Sequence, residues 1–347
     1  MICRPVHCGG RTDIFLTMKV LIAYDAAATW SLPTDVTAQV CGSSPGEIST
    51  ALTNDIEVLV TDAMPPAGLP AAGLRWIHLM SAGYNQAIGH RLAQRPGMRV
   101  SNAAGICAGH MAEFIIGQML RHVKRWDDCA RLQQERTWAN RVAMATPALR
   151  GRRALIVGYG GVGRETARLL TALGVQVDAV QRRSEREPYR GYLPHPDMGD
   201  AMGEWPARLF ATEQLPVALA EADFIILTIP LTPHTRHLLN ARSLTAARPG
   251  AVIINVGRGG LIDPPALITG LDNGRLAHAY LDVFEPEPLP ADSPFWTHPR
   301  ITVTPHMSGV MPNAGDLQAD LLRQNLRHYQ AGEPLLNEIP VERLHSL

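Results

Sequence analysis

The chain has 347 residues, 46% of them apolar and 18% charged, with no low-complexity tract, which is the make-up of a globular protein of about two domains rather than a disordered or fibrous one. Thirty-two Lys plus Arg balance 32 Asp plus Glu, so no whole-chain field draws phosphate backbones or anionic lipid, and nucleic acid and membrane are set aside as partners. Five scattered cysteines (Cys3, Cys8, Cys41, Cys107, Cys129) show neither C-x-x-C nor paired Cys/His spacing, the pattern of a reduced protein without a metal site.

No run approaches the roughly 18 consecutive apolar residues of a membrane span, and the first residues lack a signal-peptide core. A strand-like run starts at Lys19, so residues 1–18 are expected to be a disordered extension and the location cytoplasmic. Short apolar runs then alternate with helical-period segments: Val20 to Ala23, Val58 to Thr61, Trp76 to Leu79, and a long helix from Ala108 to about Trp138. This rhythm predicts a parallel sheet with helices on its faces.

A second series follows at 152–158, 175–180, 223–230, 251–257, 278–283 and 301–306. Six strands with helix-length spacers describe a doubly wound dinucleotide fold. The Pro- and Gly-rich stretch 186–207 carries no period and reads as a surface insertion lining the cofactor's adenosine end. The closing segment places Leu317, Leu321, Leu322 and Leu326 on one helix face, ends at Gly332, and is expected to pack back on the first domain.

Gly158-Tyr159-Gly160-Gly161-Val162-Gly163 is a G-x-G-x-x-G set between a strand and a helix. Gly158 permits the tight turn, Gly160 lets backbone approach a pyrophosphate, and Gly163 lets helix and strand pack closely. The competing reading is a plain turn or a methyltransferase-like loop. The second strand ends Gln181-Arg182-Arg183-Ser184, where an NAD site usually carries an acidic residue. A neutral Gln followed by two guanidinium groups and a hydroxyl suits a 2′-phosphate, so NADP(H) is expected in preference to NAD(H). The bland alternative is that Arg182 and Arg183 are solvated loop charges and Asp178 holds the ribose.

Three strand-end segments each hold a polar residue in an unusual setting: Asn255-Val256-Gly257-Arg258-Gly259-Gly260, Asp282-Val283-Phe284-Glu285-Pro286-Glu287-Pro288, and Thr304-Pro305-His306. In order and spacing, together with the glycine motif, they resemble the D-isomer-specific 2-hydroxyacid dehydrogenases over about residues 19 to 340. The resemblance implies an α/β protein of two Rossmann-like domains, the nucleotide-binding domain (104–307) inserted into a flavodoxin-like substrate domain (19–103 and 308–347). It implies Arg258 as the substrate-binding arginine, His306 as the catalytic histidine, Glu287 as its carboxylate partner, and Asp282 near the nicotinamide carboxamide. Pro230, Thr235, Val256, Gly257 and Gly309 join the cofactor residues on the same ground.

These roles are chemically coherent. Reducing a 2-oxo acid needs a cation for the carboxylate, a proton donor for the developing alkoxide and a hydride source at the carbonyl carbon. Glu287 orients the ring of His306 and holds its proton, positioning it rather than reacting. Ser81-Ala82-Gly83-Tyr84 resembles the family's substrate loop, with the N–H groups of Ala82 and Gly83 facing the carboxylate opposite Arg258 and Tyr84 and Asn85 toward the variable group. An ordinary strand-to-helix turn is the competing reading. Ser101 to Gly105 and Ser308-Gly309 resemble the two interdomain crossings.

The expected activity is reduction of glyoxylate, hydroxypyruvate or a bulkier 2-oxo acid to the D-2-hydroxy acid by a homodimer formed through the long helix and the arm 126–147. Two other readings stand beside it: a nucleotide-sensing protein like the corepressors similar to this family, and a dehydrogenase of a formate- or phosphite-type anion.

Overall fold

The computed structural model describes residues 17–24, 27, 30–69 and 71–345. The expected terminal extension lies outside the described residues as far as residue 16. Met18, which that expectation included, is instead the first residue of a strand.

The first sheet comprises β1 Met18–Ala23, β2 Val36–Cys41, β3 Val58–Thr61, β4 Trp76–Leu79 and β5 Arg99–Asn102, with α1 Pro45–Ala51 between β2 and β3. Its strands are all parallel, in the order β2-β1-β3-β4-β5. Two helices follow, α2 Ala108–Val123 and α3 Trp126–Gln134. The single long helix expected there is broken at Arg125, whose φ of 54° is left-handed. Arg125 is held in that bend by its bonds to Asp128 (2.7 Å) and the Ala143 carbonyl (3.1 Å).

The second unit runs β6 Arg153–Val157, α4 Gly161–Ala172, β7 Gln176–Gln181, β8 Arg208–Ala211, α5 Leu215–Leu219, β9 Phe224–Leu227, α6 Ala241–Ala246, β10 Ala251–Asn255, α7 Pro264–Asp272, β11 Leu276–Leu281 and β12 Ile301–Val303. Its seven parallel strands are ordered β12-β11-β10-β9-β6-β7-β8. The order reverses between β6 and β9, and ligands bind beyond the carboxyl ends of strands at such a switch point. Central strands such as β3, β9 and β10 are buried at every residue, because helices cover both faces of a parallel sheet.

Helix α8, Ala314–Gln330, closes the chain. It returns to the first sheet as expected, where Leu322 and Leu326 pack with Val20, Ile22 and Trp76. The chain therefore passes from the first sheet to the second and back, and a cluster of Ala103, Ile106, Tyr192 and Leu321 joins the two units.

Within the first sheet, His78 on β4 is fully buried. Its Nδ1 lies 2.8 Å from Ser101 Oγ, and its Nε2 has no partner. Burial pushes its pKa down to about 4, against about 6.5 in an unfolded chain. The folded state thus binds fewer protons than the unfolded one across this window, so stability falls as the pH drops from 6.5 toward 4, by up to about 3 kcal/mol. Urea midpoints of wild type and His78→Asn at pH 7 and pH 4.5 check this. The variant should lose markedly less stability between the two pH values, and equal losses would refute the assignment.

Candidate active site

The glycine-rich turn follows β6. Gly158 has φ +107°, and a Cβ there would collide with the side chain of Ile229. A Cβ on Gly163 would strike the Gly158 carbonyl, so α4 can lie this close to β6 only through glycine. Gly160 caps α4 with no side-chain bond, and its Cβ position faces open space. The first N–H groups of a helix have no intrahelical acceptor and carry the positive end of its dipole. This open cradle of backbone donors fits a dinucleotide pyrophosphate.

At the end of β7, Gln181 donates from Nε2 to the Glu185 carbonyl at 2.7 Å. Arg182, Arg183 and Ser184 are exposed beyond it. Asp178 is buried and bound by Arg153 at 2.8 Å and Arg208 at 2.7 Å. That internal ion pair removes it from competition for a ribose hydroxyl.

At the end of β10, the Asn255 side chain accepts from Gly257 N–H at 3.0 Å and donates to the Arg258 carbonyl at 2.9 Å, bracing the turn that presents Arg258. Arg258 reaches toward the other domain, its Nη2 2.6 Å from the position a Gly83 Cβ would take. Burial works against its charge while the nearby Glu287 carboxylate supports it. Glu287 accepts from Phe284 N–H at 2.8 Å through Oε1 and pairs with His306 Nδ1 at 2.7 Å through Oε2. His306 adopts φ +52°, a conformation uncommon for a residue with a side chain. Its N–H donates to the Asp282 carbonyl at 2.8 Å.

The buried Asp282 carboxylate is the hub of this turn. It accepts from Thr304 Oγ1 (2.6 Å), Met307 N–H (3.0 Å) and Ser308 N–H (2.8 Å). Both its oxygens are thus engaged by the loop that carries His306.

Opposite this set, the 81–84 loop is tied by Ser81 Oγ to the Gly83 carbonyl (3.1 Å), by Gln86 to Ser81 (2.9 Å) and by Asn102 to the Ala82 carbonyl (2.7 Å). No hydrogen bond among the described residues uses the N–H of Ala82 or Gly83. Tyr84 is half-buried against the apolar core of the first sheet. The hydroxyl of Thr235 donates to the Pro230 carbonyl at 2.9 Å, shaping the loop after β9. Val256 and Gly257 are buried at the β10 end, and Gly309 packs on Cys107. The structure therefore gathers Arg258, Glu287, His306 and the 81–84 loop about one cleft, with the glycine turn at the switch point of the same sheet.

Residues 116–308, more than half the chain, match the family described as D-isomer specific 2-hydroxyacid dehydrogenase, NAD binding domain. The chain belongs to this family. As a D-2-hydroxyacid dehydrogenase it is an enzyme, an oxidoreductase that uses a nicotinamide cofactor. It is 30% identical over 272 residues to a glyoxylate/hydroxypyruvate reductase A of Photorhabdus laumondii, covering 76% of this chain and 79% of that protein. A glyoxylate reductase of Thermofilum pendens is 29% identical over 288 residues, covering 81% of this chain and 77% of that protein. Among solved structures, a D-isomer specific 2-hydroxyacid dehydrogenase from Xanthobacter autotrophicus, in complex with NADPH and MES, superposes with a TM-score of 0.74 at 26% identity, covering 94% of this chain and 99% of that one. No helix among the described residues is long and apolar enough to cross a membrane.

The stretch 186–207 of this dehydrogenase is more than a loop on the surface, because it folds over α4 and the junction between the domains. Tyr192 is buried, with its hydroxyl on Asp320 at 2.9 Å and its N–H on Asn337 at 3.0 Å. Tyr159 of the glycine motif bonds Asp200 at 2.6 Å, and Arg164 of α4 donates to the carbonyls of Asp200 and Glu187. The aromatic rings and the buried guanidinium give this aperiodic segment a core of its own.

Proposed function

We propose that this enzyme reduces a small 2-oxo acid of the glyoxylate or hydroxypyruvate kind to the D-2-hydroxy acid, with NADPH the favoured reductant over NADH. The observation that carries the reading is the His306–Glu287 pair in the cleft where Arg258 meets the Gly83 loop. Reduced nicotinamide, when bound, supplies the hydride that C2 of the substrate receives. Arg258 binds the substrate carboxylate from one side, and the N–H groups of Ala82 and Gly83 hold it from the other. With Nδ1 tied to Glu287, the free Nε2 of His306 delivers its proton to the carbonyl oxygen as C2 becomes tetrahedral, and takes it back in the oxidative direction. Asp282 and Glu287 hold the ring in place.

The cofactor preference rests on Arg182 and Arg183, exposed at the end of β7 with no carboxylate partner among the described residues. They suit the 2′-phosphate, and the commitment of Asp178 to Arg153 and Arg208 removes the alternative ribose ligand. The division into 19–103 with 308–347 and 104–307 is supported by the distinct apolar clusters packed on the two sheets, and its crossings stand where the cleft would hinge. Homodimerisation through α2 and the arm 126–147 is supported by the exposure of Trp126, Trp138 and Val142 on that arm.

The test is a spectrophotometric assay with glyoxylate, hydroxypyruvate, pyruvate and phenylpyruvate, each with NADPH and with NADH. Wild type should consume NADPH with the smaller acids. The double change Arg182→Ala/Arg183→Ala should raise KM for NADPH about ten-fold or more and leave NADH nearly unaffected, as expected for lost charge-assisted bonds to phosphate. Equal loss with both cofactors would overturn the 2′-phosphate assignment. Tight cofactor binding without turnover of any 2-oxo acid would favour a sensor or a different anion.

A further inference from the structure

The glycine motif leaves one position that its own chemistry does not explain. Gly161, the first residue of α4, has a Cβ position 2.8 Å from the hydroxyl of Tyr189, a residue of the 186–207 strap. Gly105, at the crossing between domains, is crowded from the same direction: its Cβ position lies against the Tyr192 carbonyl and 3.4 Å from the Tyr189 hydroxyl. The phenol thus stands where a side chain at 161 would be, at the head of the helix, while the Tyr192 carbonyl fills the place of one at 105.

The ring is firmly seated. Arg164 stacks on Tyr189 with its guanidinium 5.3 Å from the ring centroid, and the strap is fastened to the other domain through Tyr192. The hydroxyl lies beside Gly161 at the first turn of α4, and its proton is spent in no hydrogen bond among the described residues. Burial pushes the phenol up to about 12, so it is a neutral donor at physiological pH. A neutral hydroxyl seated at a helix N-terminus can turn its proton toward the place where that helix end attracts an anion.

We propose that Tyr189 is a cofactor-binding residue supplied by the strap, its hydroxyl donating to the pyrophosphate of the nicotinamide dinucleotide at the head of α4. The strap thereby contributes a side-chain donor that the glycine turn, built of backbone alone, lacks. This rests on the nicotinamide site but not on the preference for NADP, because the pyrophosphate is common to both dinucleotides.

Equilibrium binding of NADPH and of NADH, followed by tryptophan fluorescence or calorimetry without substrate, tests it. Tyr189→Phe keeps the ring on Arg164 and removes only the hydroxyl. The dissociation constants of both dinucleotides should rise about ten-fold or more, as for the loss of a hydrogen bond to a charged group, with an unchanged melting temperature. Gly161→Ala, whose methyl displaces the hydroxyl, should weaken both in the same way, and should cost less in the Tyr189→Phe background, where only the Gly105 Cα at 3.2 Å still crowds the methyl. Unchanged affinity in Tyr189→Phe would overturn the proposal. Tighter binding would also overturn it, by showing that the hydroxyl occupies the phosphate's place. A loss confined to NADPH would likewise count against it and assign Tyr189 to the 2′-phosphate end.

Discussion

Replacing His306 with asparagine should lower kcat by about 10²- to 10⁴-fold, the usual contribution of a positioned general acid, while leaving NADPH affinity within about two-fold of wild type. Asparagine suits this position because it tolerates the left-handed backbone that His306 adopts at φ +52°. The bond from its N–H to the Asp282 carbonyl also survives, being made by the backbone. What disappears is the imidazole, and with it the proton at Nε2. Glu287→Gln separates positioning from reaction. A glutamine can still accept from Nδ1, but it carries no charge beside the ring, so its loss in kcat should be smaller than that of His306→Asn. In the double variant the Glu287 effect should vanish, because a residue that acts only through the ring has nothing left to act on. If His306→Asn kept kcat within about ten-fold of wild type, another group would be the proton donor, and the pairing at 2.7 Å would be structural.

Legibility in the sequence followed the source of each structural decision. The strands that form the middle of each sheet were readable because burial on both faces writes a continuous apolar run, as at Val58–Thr61 and Ala251–Asn255. β2 and β8 escaped because edge strands are half covered: β2 is largely exposed, and β8 is only four residues of mixed character. The break at Arg125 carried no glycine or proline, since its left-handed turn is imposed by Asp128 and the Ala143 carbonyl rather than by local preference. Arg258, Glu287 and His306 were singled out through the resemblance of their motifs to the family, and the structure brings the three together. Asn255, quoted only as part of its motif, proved to be the brace of the Arg258 turn, and a polar residue closing an apolar strand was the available signal. The strap's contacts with Asp320 and Asn337 lie more than a hundred residues away in sequence, and no period or motif encodes a contact of that kind.

Arg258 should govern substrate rather than cofactor. Arg258→Ala is expected to reduce kcat/KM for a 2-oxo acid by about 2–5 kcal/mol, roughly 30- to several-thousand-fold, as for truncation of one partner of a desolvated charge pair. Its guanidinium is well shielded, and its one side-chain hydrogen bond among the described residues is to the Gly257 carbonyl at 2.7 Å, so most of its donors remain for a carboxylate. Arg258→Lys should recover only part of the loss, since an ammonium keeps the charge but not the planar fork. A substrate change completes the argument: wild type should discriminate strongly between pyruvate and pyruvamide, which lacks the carboxylate charge, and Arg258→Ala should discriminate far less. Such non-additivity arises only when the two altered groups meet. Should the variant keep its full preference for pyruvate, the carboxylate would be held elsewhere. The unengaged N–H groups of Ala82 and Gly83 would then be the first place to look, with Arg258 reduced to holding the two domains together through its approach to Gly83.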